Sequence, residues 1–123
     1  QVEKKIIEIL MDAKIYGPKP HWGLPFMTCY QISIEFQERH QKEFYEIRKR
    51  PGGKGNGSHD SFSRYIAKEL STKYKKHRDK YPIEMAFVAN NNFEKLSFSC
   101  KGRSISSSQR QFSIFRLNKN VIK

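Results

Sequence analysis

The sequence predicts an α+β fold: three helices followed by a small antiparallel β-sheet. Three observations predict it. Apolar residues recur at helical spacing through the first 78 residues, apolar and polar residues alternate after Pro82, and turn-forming residues fall between the periodic segments. At 123 residues with 37% hydrophobic content, the chain fits a single domain over 1–123 with a modest core, built in large part from nine Phe and six Tyr.

The first helix is predicted over 2–15. Val2, Ile6, Ile9, Leu10 and Ala13 recur every three or four residues, Ile7 and Met11 widen that face, and Gly17-Pro18 stops it. Residues 18–26 hold three Pro and one Gly and read as an irregular connector, with Trp22, Leu24 and Phe26 available for packing. A second helix opens at Thr28. Thr28 and Gln31 have the spacing of a capping box, in which each side chain satisfies the other's free backbone N–H, and Met27 with Ile32 has the spacing of a hydrophobic staple. Its apolar face is Cys29, Ile32, Ser33 and Phe36, and it ends near Arg39 or runs on toward Phe44.

Residues 48–60 form a basic, Gly-rich loop with little to bury, carrying Arg48, Lys49, Arg50 and Lys54. A third helix is predicted over 61–78, capped by Asp60 or Ser61, with Phe62, Tyr65, Ile66, Leu70 and Tyr74 buried. Its opposite face carries Arg64, Lys68, Ser71 and Lys75 at spacings of four, three and four, a polar stripe about three turns long. It exits through Lys76, His77, Arg78 and Lys80 to Pro82. Three strands follow, centred on Ile83, Met85 and Phe87, on Leu96, Phe98 and Cys100, and on Phe112 and Ile114 through to Leu117. Residues 101–110 between the last two are polar and basic and read as a hairpin tip with Lys101, Arg103 and Arg110.

Charge narrows the function. The formal net charge is +12, with 24 basic against 12 acidic side chains. Residues 1–47 sum to −1, residues 48–81 to +8 and residues 82–123 to +5, so the partner surface belongs to the second and third portions. Such an excess opposes compaction by self-repulsion, and a polyanion that exchanges counterions for Lys and Arg explains it. Three basic features are expected on one surface: the stripe of the third helix, the hairpin tip and the Gly-rich loop. Ser63, Arg64, Ala67, Lys68 and Ser71 are the positions expected to face base edges.

The order of elements, with a basic helix last among the helices and a basic tip on the final hairpin, resembles the winged-helix form of the helix-turn-helix family. The segment 61–71, Ser-Phe-Ser-Arg-Tyr-Ile-Ala-Lys-Glu-Leu-Ser, is similar to recognition-helix segments of bacterial DNA-binding modules, including those attached to restriction or defence proteins. The resemblance implies double-stranded DNA as partner, read by sequence or by base modification. The third helix would then enter the major groove and the wing would touch the backbone or minor groove. A connector over 40–60 departs from the short turn usual in that family.

Other chemistry finds less support. Cys29 and Cys100 form no CxxC pair and read as buried thiols suited to a reducing cytoplasm. His21, His40, His59 and His77 lack zinc-ligand spacing with a cysteine, so no metal ligands are assigned. Gly53, Gly55 and Gly57 match neither a Walker A nor a dinucleotide fingerprint, and no cofactor is expected. No apolar run approaches 18 residues, so no membrane partner is expected, and Gln1 in place of Met suggests a fragment of a longer protein.

The alternatives are RNA binding with Trp22, Tyr45 or Phe115 stacking on bases, a protein-docking winged helix, and a small nuclease pairing His59 with Glu84 or Glu94. Carboxylates too sparse to cluster around Mg²⁺ make this chain non-catalytic on the leading reading.

Overall fold

The computed structural model describes residues 2–14, 23–48, 59–89, 91–92, 96–100, 103–107 and 112–118. Most of the Gly-rich loop, including Lys49, Arg50 and Lys54, lies outside the described residues. The first helix, α1, spans Val2–Met11 and buries Ile6, Ile9 and Leu10. It ends earlier than its periodicity predicts, because the N–H groups of Asp12 and Ala13 bond the carbonyls of Ile9 and Leu10 (3.1 and 3.3 Å), closing the last turn with i−3 bonds.

A strand that periodicity does not reveal, β1 (Met27–Thr28), precedes helix α2 (Cys29–Arg39). The capping box forms as the sequence predicts. The Gln31 N–H donates to Thr28 Oγ1 at 3.2 Å, and the Thr28 N–H donates to Gln31 Oε1 at 2.8 Å. At His40 (φ −133°, ψ 57°) the helix breaks and a further helix, α3 (Gln41–Arg48), begins. His40 serves both, donating its N–H to Phe36 and accepting from Phe44 N–H (2.8 and 2.9 Å). Part of the expected 40–60 connector is therefore helical.

The basic helix, α4, spans His59–His77, followed by one 3₁₀ turn over Arg78–Lys80. Asp60 and Ser61 consequently fall within its first turn. Phe62, Ile66 and Leu70 bury against α2 and α3, with the Phe62 ring 5.0 Å from Phe36 and edge-on to Phe44 at 5.1 Å.

Strands β2 (Ile83–Val88), β3 (Leu96–Cys100), β4 (Arg103–Ser107) and β5 (Phe112–Leu117) complete the fold. They form two sheets: an antiparallel three-stranded sheet in the order β1-β5-β2, and a separate β3-β4 hairpin. Ile83 faces Leu117 and Met85 faces Phe115 across the β2-β5 ladder, and this face closes over the helices. The buried positions of β5 are thus Phe115 and Leu117, of opposite parity to Phe112 and Ile114.

The expected polar tip over 101–110 is corrected as well. Residues 103–107 are a strand whose pairing runs from Leu96↔Ser107 to Cys100↔Arg103. Phe98 docks this hairpin on the core, its ring stacked on Tyr30 at 6.4 Å, and β4 packs beside α4. The connector 23–26 is latched by Arg116. Its Nη1 donates to the Leu24 carbonyl at 3.3 Å, its guanidinium lies 4.5 Å over the Phe26 ring, and it pairs with Glu84 at 3.2 Å. Gly23 (φ +82°) admits that close approach, since a Cβ there would stand 3.0 Å from Arg116 Nη1.

Candidate nucleic-acid interface

The 19 residues of α4 extend about 28 Å at the helical rise. One face is held by the core, so the face turned about 180° from Ile66 and Leu70 must meet solvent. Arg64, Lys68 and Lys75 are exposed there, within a narrow arc at 100° per residue. Ser71 lies in the same arc but is half-buried, and its hydroxyl donates to the Lys68 carbonyl of its own helix at 3.3 Å.

Ser63 is not on this face. It is fully buried at 0% exposure. A single 100° step separates it from Arg64, and it shares the three-and-four spacing of Ile66 and Leu70, which places it at the edge of the core-facing side. Ala67 is likewise partly buried against the core.

The other expected contributors are placed less fully. Arg48 ends α3 and Arg103 opens β4, with their backbones described, whereas Lys101 and Arg110 lie outside the described residues, as do the loop cations. The hairpin does bring Arg103 onto an element that packs beside α4.

Ion pairing sorts the described cations into two groups. Lys5 pairs with Glu43, Arg39 with Asp12 (2.9 Å) and Glu35 (3.1 Å), Lys73 with Glu3 (3.3 Å) and Arg116 with Glu84 (3.2 Å). Arg64, Lys68, Lys75, Lys76, Arg78 and Lys80 have no carboxylate within ion-pair distance among the described residues. Lys4, Lys14 and Lys42 are likewise exposed and unpaired, so six of these nine unpaired cations lie on α4 and the turn that ends it.

No protein-family model, curated protein or solved structure matches the chain.

The stripe predicted on the third helix does not include Lys76, Arg78 and Lys80, which the structure leaves exposed and without an ion pair among the described residues. Their charges were visible at the helix exit, but their exposure and want of partners depend on the packing of the turn. A cleft of about 280 Å³ between α1, α3 and α4 is lined by Glu3, Glu43 and Glu69 with Tyr65 and Lys73, so its carboxylates would repel a phosphate. Glu84, one carboxylate considered for a nuclease, is held by Arg116. Phe115, one aromatic considered for base stacking, is fully buried at 0% exposure and unavailable to a ligand, whereas Tyr45 is exposed and Trp22 lies outside the described residues. Among the described residues no helix is long and apolar enough to cross a membrane.

Proposed function

We propose that the chain binds double-stranded DNA in the manner of a winged-helix domain, with α4 in the major groove and the β3-β4 hairpin as the wing beside it. The observation that carries this reading is the concentration of unpaired charge on one helix. On α4 and the turn after it only Lys73 is ion-paired, while Lys76, Arg78, Lys80 and the outward row Arg64, Lys68 and Lys75 are exposed and unpaired among the described residues. Exposed, unpaired guanidinium and ammonium groups in a row are what phosphate neutralisation and guanine-edge readout require. The order of helices before a small antiparallel sheet, with a hairpin packed beside the basic helix, supports the same reading. By resemblance of 61–71, the domain acts as the recognition module of a longer restriction, defence or regulatory protein, reading sequence or base modification.

The test is a fluorescence-anisotropy titration with a labelled random-sequence duplex at about 50 and about 200 mM salt. Affinity is expected to fall roughly a hundredfold or more across that range, as neutralising several phosphates requires. Arg64→Ala and Lys68→Ala should each lower the salt slope by about one unit. Salt-independent binding, or more efficient competition by single-stranded RNA, defeats the proposal. An absence of nucleic-acid binding leaves protein docking as the use of this face.

A further inference from the structure

Position 78 sets a local preference against a side chain. Arg78 has φ 52°, the left-handed region where a Cβ is strained and where glycine is the common solution at a helix end. This chain places there an exposed arginine with no ion-pair partner among the described residues. Residues 75–80 together carry Lys75, Lys76, Arg78 and Lys80 against one Asp79, and all six positions are exposed. The helix macrodipole does not require so much charge, since its C-terminal end is equivalent to only about half an elementary charge. A strained backbone residue and concentrated like charge at one exposed turn are both costs to the free fold, and such costs mark functional positions.

The turn is also braced from beneath. Tyr81 is buried, stacks on His77 (6.1 Å between rings) and donates its hydroxyl to Glu3 on α1. The Tyr81 N–H bonds the Arg78 carbonyl at 3.0 Å, while Asn118 donates its side-chain amide to the Asp79 carbonyl at 3.4 Å and its backbone N–H to Pro82 at 2.8 Å. Arg78 and Lys80 are therefore carried on a backbone fixed to both α1 and β5.

We propose that this turn, with Lys76, is a preformed clamp for the DNA phosphate backbone, separate in role from the stripe of Arg64, Lys68 and Lys75. The inference rests on the DNA-binding reading above. Distance separates the roles: Arg64 and Arg78 are 14 positions apart, about 20 Å along the helix, against a major groove about 12 Å wide. With the first half of α4 on base edges, the end of the helix meets the flanking strand. A clamp of this kind adds affinity evenly over all duplex sequences, because phosphates carry no base identity.

The test compares Arg78→Gly, Arg78→Lys and wild type by thermal unfolding and by duplex binding at the same two salt concentrations. Arg78→Gly should keep or raise the melting temperature, because glycine relieves the left-handed strain, and yet bind DNA more weakly. Loss of one phosphate contact shrinks the affinity change between about 50 and 200 mM salt by roughly 3.5-fold. Arg78→Lys should keep the wild-type salt dependence. In Lys76→Ala/Arg78→Gly/Lys80→Ala the shrinkage should reach roughly 40-fold, with base preference unchanged.

Wild-type salt dependence in Arg78→Gly, or a lower melting temperature for it, overturns the clamp. If Arg64→Ala and Lys68→Ala still weaken binding in that case, the DNA-binding reading stands without it. If wild type binds no duplex at all, both fall together.

Discussion

Ser63 and Arg64 are neighbours in sequence and opposites in environment. Arg64 is solvated, whereas Ser63 is sealed against the core with its hydroxyl lacking a hydrogen-bond partner among the described residues. A buried hydroxyl without a partner costs about 1–3 kcal/mol, and serine also has a weaker helix propensity than alanine. Ser63→Ala should therefore raise the unfolding free energy by about 1 kcal/mol, measured by chemical denaturation, and leave DNA affinity unaltered. A drop in affinity with no drop in stability would return Ser63 to the interface. Two polar residues one step apart on a helix can thus face the core and the solvent, and the 100° step decides which.

At the scale of elements, α2 starts where its local chemistry says and stops where it does not. The Thr28–Gln31 capping box is encoded within four residues, so its spacing alone predicts it. Thr28→Ala removes the acceptor for the Gln31 N–H and should cost about 1 kcal/mol, read as a lower denaturation midpoint with an unchanged slope. An unchanged midpoint would mean that the pairing of β1 with β5, in which Thr28 faces Ile114, fixes the helix start unaided. The break at His40 has no glycine or proline to announce it. It arises where α2 and α3 each turn an aromatic, Phe36 and Phe44, onto the same Phe62 of α4, which one straight helix would not do as closely.

At the scale of the molecule, α1 ties together segments far apart in sequence. Lys5 donates to Glu43 on α3, Arg39 of α2 reaches Asp12, and Glu3 accepts from Tyr81 beyond α4. The Lys5 hydrogen bond holds the Glu43 carboxyl below its usual range, so its small contribution is present at neutral pH and lost as pH falls through that lowered value.

Tyr81 has the larger consequence. Burial, then the hydrogen bond to the Glu3 carboxylate, raises its phenol far above the ordinary value of 10.0. The unfolded chain gives up this proton near pH 10 and the folded chain does not, so the contribution of Tyr81 is complete below pH 10 and lost as pH rises above it. Tyr81→Phe should cost about 1 kcal/mol at neutral pH through the lost hydrogen bond, and should make the fall in stability above pH 10 shallower. A wild-type slope in the variant would mean that other tyrosines govern the alkaline limb.

The local features were legible in the residue pattern. Helical spacing gave the buried Ile6, Ile9 and Leu10 of α1 and the Phe62, Ile66 and Leu70 face of α4, and with the latter the solvent-facing row Arg64, Lys68 and Lys75. These depend on interactions within one or two turns, which spacing records directly.

Partners across long separations were set by the packing of the whole chain. Met27 pairs with Phe115, β5 presents Phe115 and Leu117 inward, and β3-β4 leaves the main sheet as a separate hairpin. An alternating strand has two faces of similar character, and nothing within it says which one a distant helix layer will cover. The turn at Arg78 belongs to this second class: its charges are written in the chain, but the Glu3 carboxylate that holds Tyr81 and the Asn118 amide that holds the Asp79 carbonyl come from elsewhere in the fold.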